Sequence, residues 1–298
     1  MTVDPGASAV PVDGAAASFG TRLADVLEAS GGLCVGIDPH AWLLEEWGLP
    51  TSAAGVRELG LRAVEATAGS AGVVKPQVAF FERWGSAGFA ALEDVLAAAR
   101  DAGLLVIGDA KRGDVGSTMD GYADAWFAPD SPLRVDALTV SPYLGFGSLR
   151  GTIDRARQVG AGVFVLAATS NPEARAGQTA LVAAADGTSR TLAAGIVDQV
   201  RDDDQAAGET RLGSVGLVLG ATVDLASYGI DTAALTGVPV LAPGFGHQGA
   251  RVSDLTALYG TAARAVLVST SRGVLAAGPD GMAAAVRGAA EEVRSCLA

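Results

Sequence analysis

Histidine and cysteine are scarce in this chain of 298 residues, which contains only two of each. So few histidines exclude a histidine-rich metal centre and leave few possible members for a Ser-His-Asp triad. Cys34 and Cys296 form no CxxC pair, so we expect two ordinary reduced thiols. His40 and His247 both fall in predicted loops, and the favoured interpretation gives neither a chemical role.

The sequence also lacks long apolar runs and an excess of basic residues. No run approaches the roughly 18 apolar residues of a membrane-spanning helix, and the N-terminus lacks the pattern of a signal peptide. We therefore expect a cytoplasmic protein without a membrane partner. The formal net charge of −12 argues against nucleic-acid binding, because such binding needs a basic surface. A locally basic pocket for an anionic substrate remains compatible with this charge.

Apolar residues are abundant, at 49% of the chain, and they form short runs that alternate with helical patterns. The eight runs are Leu33–Asp38, Gly72–Gln77, Leu104–Asp109, Ala137–Ser141, Gly162–Ser170, Val215–Thr222, Val238–Gly244 and Ala265–Arg272. Near-continuous apolar runs are typical of parallel strands buried on both faces. Eight βα units predict an α/β fold of the (β/α)8, or TIM, barrel type. A doubly wound open sheet is the alternative, and the count of eight without a break in composition favours the barrel.

We predict one barrel domain over residues 14–298, which begins with an N-terminal helix and follows a disordered tail at 1–13. Helical spacing of apolar residues appears in four stretches, Phe19–Glu28, Phe89–Ala102, Ser189–Val200 and Met282–Leu297. Residues 171–187 are expected to form an extended loop after the fifth strand, and we hypothesise that it is a lid. The acidic stretch 201–204 is interpreted as a solvated helix end.

Charged residues stand at the ends of the first three apolar runs, where a barrel carries its active site. Asp38 ends the first run, Lys75 lies in the second, and Asp109 ends the third, two residues before Lys111. Residues i and i+2 of a strand share a face, so Asp109 and Lys111 should both point into the barrel mouth. Asp114 should leave the strand and point elsewhere. A lysine kept charged by carboxylates can donate a proton to a carbanion, although a purely structural ion-pair network is the alternative.

The segment Gly244–Gly249 matches the pattern G-x-G-x-x-G, which is also found in dinucleotide-binding proteins. Here it follows the seventh run, whereas a dinucleotide fingerprint opens the first βα unit. Barrels often bind phosphate in the loops after strands seven and eight. Since Arg272 ends the eighth run and can pair with phosphate in a bidentate manner, we predict a phosphate site.

The segment DAKRGD at 109–114, followed by Thr118, resembles the DxKxxD signature of the orotidine 5′-phosphate decarboxylase family. The same resemblance is carried by VGIDPH (35–40), VVKPQ (73–77), DALTVSPYLG (136–145), ATSNPE (168–173) and APGFGHQG (242–249). It extends from Leu33 to about Leu275 and is closest to the actinobacterial-type branch. The motifs are specific as a set, whereas DxKxxD alone is shared with sugar-phosphate decarboxylases of the same suprafamily.

The resemblance implies decarboxylation of orotidine 5′-phosphate to UMP and CO2 in pyrimidine biosynthesis, without a metal or an organic cofactor. It implies a charged array of Lys75, Asp109, Lys111 and Asp114, in which Lys111 protonates C6 of the pyrimidine. Asp109 would lie beside the substrate carboxylate. Asp114 and Thr118 would reach into the site of a partner subunit, which implies a homodimer.

The resemblance also implies contacts along the rest of the substrate. These are Asp38 and Lys75 to the ribose hydroxyls, Ser170 to the pyrimidine ring, and Gln248 and Arg272 to the phosphate.

Two other functions are compatible with a phosphate-binding barrel. A sugar-phosphate decarboxylase or aldolase of the suprafamily would use Mg²⁺ with an acidic ligand near the end of strand two, where this chain has Lys75. A catalytically dead nucleotide-binding barrel would not need Asp109, Lys111 and Asp114 together. The sequence therefore favours the decarboxylase.

Overall fold

The computed structural model describes residues 17–183 and 187–297, so the predicted tail at 1–13 lies outside the described residues. Within these ranges the strands are β1 Leu33–Ile37, β2 Val73–Pro76, β3 Leu105–Arg112, β4 Ala137–Val140, β5 Gly162–Ala168, β6 Leu181–Ala183, β7 Ser189–Thr191, β8 Val215–Leu219, β9 Val240–Pro243 and β10 Val266–Thr270. All except β6 and β7 form one closed parallel barrel. The predicted (β/α)8 barrel is confirmed, and the open sheet is wrong.

Helices cover the barrel and close its lower end. They are α1 Phe19–Ser30, α2 Ala41–Glu46, α3 Ala53–Thr67, α4 Ala79–Glu82, α5 Gly85–Asp101, α6 Gly116–Phe127, α7 Arg150–Gln158, α8 Arg175–Gln178, α9 Leu192–Ala206, α10 Leu255–Tyr259, α11 Arg272–Leu275 and α12 Gly278–Leu297. The predicted N-terminal helix is α1. No helix in the described ranges has both the length and the apolar character needed to cross a membrane.

Alternation along the strands determines which side chains enter the barrel. On β3, Leu105 and Ile107 belong to the apolar cluster inside the barrel, and the next residue of the same parity is Asp109. The inner cluster ends below at Phe19 of α1, whose ring packs edge-on against Phe164 at a centroid distance of 5.9 Å. Burial of such an aromatic side chain contributes about 1.5–3 kcal/mol. The same alternation that fills the barrel with apolar residues thus places a carboxylate at its mouth.

The end of β3 departs from the extended strand predicted for residues 109–111. The pairing of β3 with β4 shifts register between Gly108 and Arg112, and Lys111 has a φ of 50°, unlike every other described non-glycine residue. The backbone amide of Lys111 donates to Thr139 Oγ1 at 2.9 Å, which holds this irregular turn. Simple alternation therefore fails at Lys111, but the bulge still directs its side chain toward the mouth.

The segment after β5 is not the extended loop that was predicted for residues 171–187. It contains a 3₁₀ turn at Pro172–Ala174, the helix α8 and the strand β6, which pairs antiparallel with β7. The helix predicted from Ser189 begins at Leu192 instead. Thr191 is its N-cap and accepts a hydrogen bond from the Ala194 amide at 3.1 Å, so the preceding residues are free to pair as a strand.

The acidic stretch 201–204 is also different from its prediction as a solvated helix end. Asp203 and Asp204 are only 5% and 7% exposed, and they form ion pairs with Arg157 of the neighbouring helix α7. On α9 they follow Val200 by three and four residues, so helical periodicity turns them toward the same buried face. The charges are buried because α7 supplies arginines on the facing side.

Candidate active site

A cavity of about 230 Å³ opens at the carboxyl ends of the barrel strands. It brings together Asp38, which follows β1, and residues from β2, β3 and β4 with residues from the turns that follow β9 and β10. Its lining includes Asp38, Lys75, Gln77, Asp109, Lys111, Thr139, Gly244, His247, Gln248, Ser271 and Arg272. The predicted charged end and the predicted phosphate end therefore share one cavity, as a small phosphorylated substrate requires.

Asp109 is the centre of the hydrogen-bond network in this cavity. Its Oδ2 accepts from Lys75 Nζ at 2.6 Å and from Gln77 Nε2 at 3.0 Å. Its Oδ1 accepts from Lys111 Nζ at 2.5 Å and from Thr139 Oγ1 at 3.0 Å. Both carboxylate oxygens are thus held by a lysine and by a neutral donor, which fixes the carboxylate plane.

The ion pairs control the protonation of this network. Burial by itself would raise the pKa of the Asp109 carboxyl, but the charges of Lys75 and Lys111 hold that pKa well below its ordinary value. Burial also opposes the charged form of Lys75, yet the carboxylates of Asp109 and Asp38 raise the pKa of this lysine. The Asp109 carboxylate is therefore held in its charged form between the side chains of Lys75 and Lys111.

The two lysines of the network differ in their access to solvent. The Lys75 side chain is 7% exposed, whereas that of Lys111 is 45% exposed. Lys75 rises from inside the barrel, and Lys111 reaches over the cavity from the bulge at the end of β3. A left-handed backbone at a non-glycine residue is unfavourable, and such strain is concentrated at functional sites. Of the two ammonium groups, that of Lys111 is the one that can exchange protons with water.

Two polar atoms in the cavity wall have no hydrogen-bond partner among the described residues. They are Asp38 Oδ1 and Ser271 Oγ, and both are buried. Ser271 lies so close to β1 that a Cβ on Gly36 would come within 2.8 Å of its own Cβ, so only glycine fits there. Folded proteins rarely leave buried polar atoms unpaired, which indicates that a polar ligand completes this side of the site.

The opposite end of the cavity has the features of an anion site. The turn after β9 contains Gly244, Gly246 and Gly249 with φ values of 117°, 73° and 104°, a backbone that favours glycine. Gln248 and Arg272 line the cavity from this side. His247 also lines the cavity, whereas His40 is not among the lining residues and packs against the Phe80 ring at 4.4 Å.

Three of the predicted site residues do not line the cavity within a single chain. Asp114 accepts a hydrogen bond from the Val115 amide at 2.8 Å beyond the end of β3. Thr118 is exposed on α6, and Ser170 is exposed just after β5. The charged array formed by one chain therefore consists of Lys75, Asp109 and Lys111.

Two polar residues of the network were missed from the sequence. Gln77 follows Lys75 by two residues and so belongs to the same face of the chain, which was a usable signal. Thr139 lies within the apolar run of β4, and nothing in its local sequence indicates that it bonds both Asp109 and the Lys111 amide. The described residues contain no group of three or more His, Cys, Asp and Glu side chains placed to hold a metal ion.

Comparisons with known proteins all indicate the same protein family. Residues 31–287 match the model of the "Orotidine 5′-phosphate decarboxylase / HUMPS family". Orotidine 5′-phosphate decarboxylase of Salinispora tropica is 51% identical over 276 residues, which are 93% of this chain and 95% of that protein. The Streptomyces coelicolor protein of the same name is 51% identical over 88% of this chain and 91% of its own length.

Solved structures agree with these relatives. The crystal structure described as a putative orotidine 5′-phosphate decarboxylase from Streptomyces avermitilis superposes with a TM-score of 0.88 and 48% identity, and the match covers 97% of this chain and 99% of that one. The OMP decarboxylase of Leishmania donovani gives a TM-score of 0.74 with 31% identity, over 94% of this chain and 98% of that one. The similarity therefore includes the whole barrel together with its mouth.

Proposed function

This chain belongs to the orotidine 5′-phosphate decarboxylase family and is a carboxy-lyase that converts orotidine 5′-phosphate to UMP in de novo pyrimidine synthesis, and we propose that Lys75, Asp109 and Lys111 carry the reaction. The observation that supports this assignment is the position of Asp109 between two ammonium groups, in the cavity that also contains Arg272. The end of the cavity that contains Arg272 can bind the substrate phosphate, while the end that contains Asp109 and the two lysines can lie next to the substrate carboxylate.

In the proposed reaction the bond between C6 and the carboxylate carbon breaks, and the electron pair remains on C6. The ammonium of Lys111 stabilises this charge as it develops and then transfers a proton from Nζ to C6. The resulting neutral amine regains a proton from water, to which its side chain is 45% exposed. No step needs an oxidant or a reductant, because CO2 leaves without the bonding electrons.

The charge of the array favours stabilisation of the carbanion over repulsion of the substrate. Asp109 would lie beside the substrate carboxylate, and a lone aspartate there would repel it. In this cavity, however, Asp109 is paired with both Lys75 and Lys111. With Asp38 and Arg272, which also line the cavity, three cationic side chains face two carboxylates, a formal net charge of about +1. Such a field attracts the carboxylate and stabilises the later negative charge at C6.

We assign the remaining contacts as proposals along the substrate. Asp38 and Lys75 bind the ribose hydroxyls, Ser170 contacts the pyrimidine, and Gln248 and Arg272 hold the phosphate. The unpaired Asp38 Oδ1 is consistent with this assignment, because a ribose hydroxyl would supply its missing donor. Binding energy from the distant phosphate can then hold the pyrimidine in position for the chemistry.

A homodimer is part of the proposal. Exposed apolar side chains lie on the two segments that follow β3 and β4, with Val115, Tyr143 and Leu144 exposed by 55%, 91% and 50%. The two segments that carry them are adjacent, since the Ser141 amide donates to Arg112 O at 2.7 Å. An apolar patch of this kind next to an active site is a candidate interface. A second copy covering it would bring Asp114 and Thr118 into its own site, in agreement with their absence from the cavity of one chain.

A cytoplasmic location is proposed on the basis of the cysteines. Cys34 and Cys296 are both free thiols, and Cys34 is buried, which raises its pKa to about 12. Free thiols without a disulfide are typical of proteins in a reducing compartment.

The direct test is the loss of orotidine 5′-phosphate absorbance in a buffer containing EDTA. We expect turnover with the wild type, and a decrease of at least about 1000-fold with Lys111→Ala, since this change removes both the proton donor and the charge at C6. The control Arg62→Ala removes an exposed cation on α3 and should leave turnover unchanged. UMP binding should remain measurable by calorimetry in Lys111→Ala. Activity that disappears in EDTA would instead favour a metal-dependent sugar-phosphate lyase.

The same variant tests the shared site. Lys111→Ala and Asp114→Ala should each be inactive alone, whereas a mixed dimer would contain one intact site and one doubly damaged site. Random mixing should therefore restore roughly a quarter of the wild-type activity, because half of the dimers are mixed and half of their sites are intact. No recovery after verified subunit exchange would contradict the shared site.

A further inference from the structure

The backbone of the barrel loses its regular partners directly before Ser170. The strand β5 ends at Ala168, whose carbonyl accepts the Gly220 amide at 2.8 Å, and its pairing with β8 shifts register between Leu166 and Ala168. The next amide, that of Thr169, is satisfied by a side chain rather than by a strand. It donates to Oε1 of Gln178 at 2.9 Å.

Gln178 binds Thr169 at two points. Besides accepting from the Thr169 amide, it donates from Nε2 to Thr169 Oγ1 at 3.0 Å. The orientation of the amide group is fixed, because a backbone N–H can only donate and so must face the carbonyl oxygen. The Thr169 hydroxyl in turn donates to Asn171 Oδ1 at 2.8 Å. The residues on both sides of Ser170 are therefore held by one chain of hydrogen bonds.

The helix that carries Gln178 is itself attached to the barrel. Arg175 stacks over the Tyr228 ring with its Cζ at 5.4 Å from the centroid, and it donates to Ser227 Oγ at 3.3 Å. At the other end of the segment, Thr191 Oγ1 donates to the Tyr228 carbonyl at 2.5 Å. Both ends thus rest on the 3₁₀ turn after β8. A segment fastened in this way is suited to act as a brace, and this differs from the lid that was hypothesised from the sequence.

We propose that Gln178 is a positioning residue that acts through Thr169 to present Ser170 to the pyrimidine ring. This inference rests on the proposed role of Ser170 in the decarboxylase reaction. Without the side-chain amide of Gln178, the Thr169 N–H could be satisfied only by a hydrogen bond to water. The backbone at Ser170 would then gain rotational freedom. A small displacement of a substrate contact is costly when the reaction depends on orientation.

A double-mutant cycle tests whether Gln178 acts through Ser170. We expect Gln178→Ala to lower kcat/KM about 10-fold, the usual effect of losing hydrogen bonds to a backbone amide. In the Ser170→Ala background the same change should have almost no effect. Gln178→Glu keeps an acceptor for the Thr169 amide and should recover most of the loss. Thr179→Ala is the matched control, because its hydroxyl donates to the Arg175 carbonyl of the same segment at 2.8 Å and is not part of the hydrogen bonds at Thr169.

A second measurement separates positioning from general loosening of the fold. Inhibition by UMP depends on the pyrimidine contact, whereas inhibition by ribose 5-phosphate does not. Gln178→Ala should weaken UMP about 10-fold and leave ribose 5-phosphate unchanged. Equal weakening of both inhibitors, or independent effects of the two substitutions, would overturn the inference while the wild type still decarboxylates its substrate. A wild type without that activity would instead overturn the proposed function.

Discussion

Two buried aspartates in this molecule have side-chain pKa values that are shifted in opposite directions. Asp109 at the barrel mouth and Asp204 on α9 are both 7% exposed, and each one lies beside cations. The pKa of Asp109 is held well below its ordinary value, whereas burial raises that of Asp204 to about 7. Burial alone therefore does not decide how a carboxylate ionises here.

The difference lies in how the neighbouring cations are shared. Asp109 receives four hydrogen bonds, two of them from lysine ammonium groups that have no other ion pair among the described residues. Asp204 receives Arg157 Nη2 at 2.9 Å and the Val215 amide at 3.2 Å, while its Oδ2 has no partner in the described chain. Arg157 also pairs with Asp203, and Glu209 adds a further negative charge. The mouth has an excess of positive charge, whereas the α7–α9 contact does not.

This contrast separates a network suited to binding an anion from one that only joins two helices. At the mouth, the excess positive charge is available to the substrate carboxylate and to the carbanion. Between α7 and α9, Arg150 and Arg157 are already paired with the carboxylates of Asp203 and Asp204. The first network should be required for turnover, and the second should affect only stability.

The largest effect is expected from removal of the central carboxylate at the mouth. In Asp109→Asn the two lysines lose their common partner, and the pKa of Lys75 should fall because Asp109 makes the largest contribution that opposes burial, ahead of Asp38. We expect kcat to decrease at least about 1000-fold while the chain remains folded. Single-turnover kinetics and thermal melting measure the two quantities. More than a tenth of the wild-type kcat would show that Asp109 is dispensable.

A smaller effect, on stability alone, is expected in the second network. Asp203→Ala removes the partner of Arg150 and one of the two partners of Arg157. We expect a loss of about 2–3 kcal/mol of unfolding free energy. The Asp203 side chain is buried, but Arg150 is half-exposed and Arg157 keeps Asp204 as a partner, so the loss is smaller than for a fully buried, isolated pair. Urea denaturation should show this loss, with kcat unchanged at a temperature where the variant is folded.

The neighbouring Asp202 provides a matched control for that substitution. Its side chain is 65% exposed, and within residues 17–183 and 187–297 its one ion pair is with Arg201 on the same surface. Asp202→Ala should change the unfolding free energy by less than about 1 kcal/mol. Equal losses in the two variants would remove the distinction between the buried and the solvated members of this acidic stretch.

The two networks also differ in how far the sequence could predict them. At the mouth, strand alternation from Leu105 through Ile107 indicates that Asp109 points inward, and Lys111 lies close enough in the chain to reach it. Between the helices, the phase set by Val200 would have turned Asp203 and Asp204 inward, but their charge favoured a solvated interpretation. What makes their burial possible is the ion pairing with Arg157, which lies 47 residues before Asp204. No local sequence pattern indicates a contact between residues so far apart in the chain.

Other features lay beyond the sequence for similar reasons. The bulge at Lys111 depends on a hydrogen bond to Thr139 from the next strand, so the strand pattern alone predicted a regular end. The segment at 171–187 has no apolar periodicity, because α8 is one turn long and β6 is fully exposed. Short elements held by side chains such as Gln178 become visible only when their tertiary partners are known.

The last predicted effect concerns the pH dependence that Asp204 imposes. An unfolded aspartate has a pKa of about 3.9, while the pKa of folded Asp204 is raised to about 7, chiefly by burial. Between these values the native state retains a proton that the unfolded state has released. Stability must therefore fall as pH rises, with most of the decrease complete once the folded pKa is passed. Asp109, whose folded pKa is lowered, remains charged over this range and adds no such slope.

Asp204→Asn should abolish this slope, because the amide cannot ionise and can still accept the Val215 N–H. From pH 5 to pH 7, the wild type should lose about 2 kcal/mol of unfolding free energy that the variant keeps. Urea denaturation at the two pH values measures the difference, and the other titrating groups cancel because both chains share them. Parallel pH profiles for the two chains would mean that Arg157 keeps Asp204 charged, so that both buried carboxylates would be equally compensated and the contrast between the two networks would disappear.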